Sequence, residues 1–382
     1  MEINDDDHVS RRWFNVESVP KSHVFSDEDR PGNQQIPLCN TIPIIDLENN
    51  SSNLSETIIQ ACQEYGFFQV INHGVSEDVI SEAMKVMEEI FNMPVEEIKK
   101  EVSNYSSGWV YMGSTSFAAK GAHLWRDNLK HPCHPLDECM HRWPRNPPRY
   151  RYIIFIHSFI HFQLSDRTKS FWCRDVVGAY IKEIRRLSLV ILELISEGLG
   201  LEEGYLGGIS QVQFLTASNY PVCPDPTLTL GLLNHFDHSL ITILYQGNVE
   251  GLQFLKDGKW IGVEAIPNAF LVNIGTQIEV IYEIPSRFEQ SIVSRCFVQI
   301  ISNGKLRSAA HRVVTNQEAA RTTIATFINP SPDCIIQPAK LLIDEDNPPI
   351  YQPLSFRDFV NVSKPFGPFT DALQNGVCTL KK

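Results

Sequence analysis

The chain has 382 residues, 43% of them hydrophobic, with 33 basic and 45 acidic side chains and a formal net charge of −12. That length allows two or three domains and a sizeable core, while the acidic balance argues against a nucleic-acid partner, which needs a basic face. Nine cysteines with no Cys-x-x-Cys pair exclude a zinc knuckle or a thioredoxin-type site and fit free thiols in a reducing compartment.

The predicted elements begin with a polar arm over residues 1–40, containing Pro20, Pro31 and Pro37, expected to be extended or loosely packed. The N-terminal residues are acidic and lack an apolar signal region, so a cytoplasmic location is expected. Ile42 to Leu47 predicts a short strand. A helix is predicted from an N-cap at Ser55 through Tyr65, with Gly66 as its left-handed terminator. Phe67 to Ile71 predicts a strand from its aromatic and β-branched content. Ser76 is the predicted cap of a second helix, with Ile80, Met84, Met87 and Phe91 on one face. The longest apolar run, Tyr152 to Phe162, holds two histidines and is far too short to span a bilayer, so no membrane role is expected. A third helix is predicted over 175–197. His157 and His161 have the i, i+4 spacing of a helical metal pair, but no Glu-x-x-His context supports them as ligands.

After Gly208 the pattern changes to short apolar runs punctuated by Asp257-Gly258 and Asn303-Gly304. These runs are 211–214, 240–244, 252–255, 269–274, 311–314 and 323–327, and they predict antiparallel strands of a sandwich or jelly roll. The expected class is α+β with a mainly β core. It divides into the arm, a mixed helical N-terminal domain over 41–208, a jelly-roll domain over 209–335 and a C-terminal segment over 336–382.

Chemistry enters with His235-Phe236-Asp237 and His311. Residues two apart on an extended chain share a face, so His235 and Asp237 can hold one metal together. His311 opens a remote predicted strand and can complete a face of two imidazoles and one carboxylate. That set suits Fe(II) and leaves room for a chelating 2-oxo acid. Among twelve histidines one His-x-Asp is weak evidence, and His311 or Arg321 alone is more often a packed or solvated residue. Their joint order carries the argument: Arg321-Thr322-Thr323 follows His311 by ten residues. A guanidinium forks onto a carboxylate, and Thr323 shares its strand face. Tyr220 could donate its hydroxyl to the same carboxylate; packing as a core tyrosine is an equal alternative on residue type alone.

These residues resemble a known pattern. Ile42 to Leu47 and Cys62 to Val75 are similar to the N-terminal domain of plant 2-oxoglutarate- and Fe(II)-dependent dioxygenases. Asn219-Tyr220-Pro221-Val222-Cys223-Pro224 resembles that family's Tyr-Pro-Pro-Cys-Pro segment, and Thr323 stands where the family usually has Ser. The resemblance covers nearly all of 38–365. Residues 131–137 and 338–342 are similar to its hyoscyamine 6-hydroxylase-like branch.

The resemblance implies a double-stranded β-helix (jelly roll) behind a helical N-terminal domain. It implies Fe(II) on His235, Asp237 and His311, and 2-oxoglutarate anchored by Arg321, Thr323 and Tyr220. It further implies ascorbate as reductant, O2 and a small plant metabolite (an alkaloid, terpenoid or phenolic) as substrates, and a monomer. Two alternatives stay open: an Fe(II) oxidase of the same fold that does not use 2-oxoglutarate, and a catalytically impaired paralogue.

The second alternative has a specific cause. By resemblance, Arg151 should run straight into Asp175, and Asn273-Ile274-Gly275 should reach Ser302-Asn303-Gly304 within about nine residues. Residues 152–174 and 280–299 intervene. Both segments admit codons with GT at one end and AG at the other, and are expected to be translated introns.

Overall fold

The computed structural model describes residues 16–33, 36–39, 42–49, 53–94, 96–98, 110–113, 118–119, 121–151, 175–276 and 300–363. The two extra segments, with His157 and His161, lie outside them.

In chain order the strands are β1 (Leu38–Cys39), β2 (Ile44–Asp46), β3 (Phe67–Ile71), β4 (Val110–Met112), β5 (Ala118–Ala119), β6 (Ala122–His123), β7 (Asp127–His134), β8 (Val212–Tyr220), β9 (Leu232–His235), β10 (Ile241–Tyr245), β11 (Leu252–Lys256), β12 (Lys259–Val263), β13 (Phe270–Ile274), β14 (His311–Val313), β15 (Arg321–Asn329), β16 (Ile335–Ile336) and β17 (Leu354–Ser355). The α-helices are α1 (Leu54–Glu64), α2 (Glu77–Asn92), α3 (Leu136–Cys139), α4 (Val176–Gly198), α5 (Tyr205–Ile209) and α6 (Phe356–Ser363).

Two sheets form the core. A major sheet has the order β2-β3-β13-β10-β15-β8-β7-β4, and a minor one β1-β12-β11-β14-β9. Non-consecutive neighbours in both sheets are the signature of the double-stranded β-helix, so the expected fold holds. The major sheet takes β2, β3, β4 and β7 from before residue 208, so the helical N-terminal part and the barrel share one sheet.

Alternation sorts the side chains of that sheet. Phe68, Val70, Leu215, Ala217, Ile243, Val272 and Ile324 point outward and pack with Ile58, Ile80, Met87, Ile184, Leu187 and Ile191 of α1, α2 and α4. Inward residues Phe67, Tyr220, Leu244 and Leu271 pack against Leu252, Phe254 and Val313 of the minor sheet. At about 25 cal/mol per Å² of apolar area removed from water, these two layers are the main source of stability.

Several local expectations change. The described part of the N-terminal arm is built into the core: Phe25 is 2% exposed, its amide donates to Leu228 O at 3.0 Å, and β1 pairs parallel with β12. A polar composition hid this because two residues, His23 and Phe25, do the packing, His23 against His123 and Trp125. The N-cap of α1 is Asn53, and Ser55 lies inside the first turn. Ser76 does occupy the cap of α2, without a side-chain capping bond. Gly66 terminates α1 at φ 74°, as its position predicts. β8 and β15 each run nine residues, because each finds a long partner in the other. β7 was not expected from sequence at all, since it carries Pro132 and histidines in place of an apolar alternation.

Candidate metal and oxo-acid site

β9 and β14 are antiparallel neighbours in the minor sheet, and their ladder sets His235 opposite His311. The ring centroids lie 4.1 Å apart. Each imidazole uses Nδ1 against a carbonyl two residues back: His235 to Leu233 O and His311 to Ala309 O, both at 2.9 Å. A carbonyl only accepts, so the proton sits on Nδ1 and the Nε2 lone pair is free. Both Nε2 atoms face Asp237 Oδ1, at 3.6 and 3.8 Å.

The ladder ends at His235, so strand spacing does not place Asp237. Instead the Asp237 carbonyl accepts from the Thr276 amide at 2.8 Å, and Asn273 Nδ2 donates to Asp237 Oδ2 at 3.1 Å. Burial alone would raise the Asp237 carboxyl, but His311, His235 and the Asn273 bond outweigh it and hold it below the usual range. Burial, with His311 beside it, pushes His235 down to about 3. One donor atom from each of the three residues falls within 4.8 Å of the others. Two lone pairs and a carboxylate converge with no proton between them. That donor chemistry fits a divalent cation of the Fe(II) kind and leaves one face open.

The second half of the site lies on the major sheet. β15 and β8 pair Arg321 with Tyr220 and Thr323 with Ser218. Arg321 and Thr323 are each 3% exposed. Arg321 Nε donates to Val249 O at 2.9 Å, and its guanidinium carbon stands 5.4 Å from the centre of the Tyr220 ring. Its Nη2 is buried with no hydrogen-bond partner. Burial lowers the Arg321 pKa, yet a guanidinium stays charged at neutral pH. A desolvated cation with an unused donor is an anion site, and its planar fork fits a carboxylate. Gly231 keeps the wall thin here, since a β-carbon would lie 2.5 Å from Tyr220 Cδ1.

Thr322 and Asn219 point the other way, into a cleft of about 830 Å³ against α2. That cleft is on the outer face of the sheet and is separate from the metal residues. Sequence reading missed Asn273, although a lone Asn in the apolar run 269–274 was the available signal.

Residues 210–330 match the 2OG-Fe(II) oxygenase superfamily, and 42–148 match the non-haem dioxygenase N-terminal domain described for morphine synthesis. The chain is 36% identical to hyoscyamine 6-dioxygenase of Hyoscyamus niger, over 91% of this chain and 92% of that one. It is 33% identical to 2'-deoxymugineic-acid 2'-dioxygenase of Hordeum vulgare, over 90% of each. The crystal structure of JOX2 in complex with 2OG, Fe and JA superposes with a TM-score of 0.72 at 30% identity, covering 95% of both chains. Fold, donor chemistry and relatives agree: this chain belongs to the 2OG-Fe(II) oxygenase superfamily.

Proposed function

We propose that His235 Nε2, Asp237 Oδ1 and His311 Nε2 hold Fe(II), and that Arg321, Thr323 and Tyr220 anchor the far carboxylate of 2-oxoglutarate. The reaction is hydroxylation, or another oxidation, of a small plant specialised metabolite. When bound, the iron and 2-oxoglutarate supply the oxidant from O2, releasing succinate and CO2, with ascorbate as reductant. The chain's own residues do the rest. The Nδ1–carbonyl bonds orient both imidazoles, Asn273 fixes the carboxylate, and the barrel wall excludes water.

The observation that carries this reading is the buried, unused Nη2 of Arg321 on the inner wall that faces the metal residues. We read the working unit as a cytoplasmic monomer. No described helix is long and apolar enough to cross a membrane. Buried free thiols at Cys62, Cys133 and Cys223 support a reducing compartment. The test is succinate release with Fe(II), ascorbate and a metabolite panel. Substrate oxidation without succinate would favour the oxidase that dispenses with 2-oxoglutarate.

A second reading concerns the chain as written, and a specific observation favours it. The Val176 amide donates to Arg149 O at 3.3 Å, and the Val177 amide to Tyr150 O at 3.4 Å. Each pair is 27 positions apart, and four apart once the 23 residues 152–174 are left out. Four is the hydrogen-bond step of an α-helix. The flank is also core: Tyr150 is fully buried, Arg151 is 4% exposed, and Arg149 is ion-paired to Glu82 and Glu89 of α2. At the second segment Thr276 and Ile300 are buried as well. Tolerated insertions belong at exposed tips. The folded unit is therefore closed without 152–174, and 280–299 leaves from buried flanks, which supports reading both as retained introns that impair this chain.

A further inference from the structure

We infer that the open end of the barrel's inner wall is built for a substrate carrying an acid group, with Lys130 as its recognition cation. This deepens the function proposed above and rests on it.

Strand parity sets the direction of Lys130. β7 pairs with β8 so that Asn128 faces Ser218 and Lys130 faces Thr216. In β8, Ser218 and Tyr220 are the partners of Thr323 and Arg321. Side chains directly paired in a ladder share a face, and alternation repeats that face every second residue. Lys130 therefore lies on the same inner face as Arg321. Two contacts agree: Asn128 Nδ2 donates to Ser218 Oγ at 3.0 Å, and the Lys130 ammonium stands 5.1 Å from the centre of the Phe214 ring. The intervening Leu129 and His131 are buried on the opposite, helix-facing side.

The two cations on this face differ in one respect. Arg321 is enclosed, while Lys130 is exposed, so the wall opens at the Lys130 end. The row of inner residues beside Lys130 leads to the metal residues: Phe214, Phe327, Thr242 and Asn273 are paired in turn across β8, β15, β10 and β13, and Asn273 Nδ2 donates to Asp237 Oδ2. His238 follows Asp237 in the chain. The His238 ring also meets Phe359 of α6 edge-on, at 5.7 Å between centroids. The opening thus combines a cation at one side, the metal carboxylate at the other, and aromatic walls from Phe214 and Phe359. A small carboxylic acid with an apolar or aromatic body fits this: its acid group at Lys130, its carbon skeleton along the rings, a C–H toward the metal residues. A protonated amine meets like charge at Lys130 and is disfavoured.

The experiment uses the full chain, and the same chain lacking residues 152–174 and 280–299, each with Fe(II), 2-oxoglutarate and ascorbate. The probes are matched sets on one aromatic or alicyclic skeleton: the carboxylic acid, its methyl ester and the corresponding tertiary amine. Calorimetric binding of 2-oxoglutarate is measured first. The expected result is succinate release stimulated by acids over esters and amines. Lys130→Met raises the KM for the acid about tenfold with a smaller change in kcat, Lys130→Arg restores it, and added salt raises KM in the parent. If 2-oxoglutarate binds but esters or amines stimulate as well as acids, the acid-substrate inference is overturned and the oxygenase reading stands. The same holds if Lys130→Met leaves the acid's KM unchanged. If neither form binds 2-oxoglutarate, the underlying reading falls and the inference with it.

Discussion

His235 and His311, 76 positions apart in sequence, are direct cross-strand partners in the minor sheet. Their register shifts between His311 and Val313, a bulge of the kind that re-aims a side chain beside a functional site. Neither imidazole is placed by its local sequence alone. The ladder sets their separation, and the carbonyls of Leu233 and Ala309 set their rotation.

Arg321→Ala is expected to raise the dissociation constant for 2-oxoglutarate about 100-fold, or about 3 kcal/mol, since it removes a charge-assisted fork from a desolvated site. Without 2-oxoglutarate its melting temperature should fall little, because the buried guanidinium is under-paired in the parent. Calorimetry and thermal melts check the two halves separately.

Asn273→Ala takes away the donor to Asp237 Oδ2. Partners of metal ligands typically contribute a factor of about 10–100 in metal affinity, and a loss in that range is expected here. Ferrous titration of the purified variant reads it directly, and an unchanged affinity would show that Asp237 is positioned by its backbone alone.

Gly66→Ala should weaken iron binding from outside the site. Gly66 has φ 74°, and a β-carbon there would lie 2.9 Å from backbone atoms of Arg307, Ser308 and Ala309. Those residues lead into His311, and Ala309 O holds its ring. The expected cost is about 1–3 kcal/mol of stability together with reduced metal affinity. Urea melts with and without Fe(II) separate the two effects.

Acid should destabilise the fold through His131. It is enclosed, with Nε2 2.5 Å from the Tyr150 hydroxyl, and burial lowers its pKa to about 4. The unfolded chain takes up this proton near the ordinary 6.5, before the folded one does. Stability therefore falls as pH drops from about 6.5 to about 4, by roughly 3 kcal/mol in total. Denaturant melts across that window should show the slope, and a His131→Gln variant should lose this component of it.

Deleting 152–174 and 280–299 together should raise the melting temperature and the fraction of chains that bind Fe(II), because the flanks of the first already meet at helical hydrogen-bond spacing and those of the second are buried. Thermal melts and metal stoichiometry of the two forms decide this. Full-length transcripts set against genomic DNA test the intron origin, and a dominant transcript coding both segments would refute it.

The element pattern was legible wherever a segment's own periodicity matched its burial. The helix ending at Gly66 and the apolar strands after residue 208 are of this kind. β7 was not legible, since Pro132 and five polar residues sit in a strand stabilised by β8 and not by its own composition. The described part of the arm was not legible because two buried residues, His23 and Phe25, outweigh the polar residues around them.

Residue types and their order determined the chemistry on offer: two imidazoles, a carboxylate, and a guanidinium two residues from a hydroxyl. Those identities and their order narrow the ion to a divalent cation of the Fe(II) kind and the anion to a carboxylate. Tertiary structure decided which of these groups meet, which nitrogen of each imidazole is free, and which wall opens beside Lys130. The physical reason is that strand register and burial are settled by pairing between distant segments, and no local stretch of sequence contains its partner.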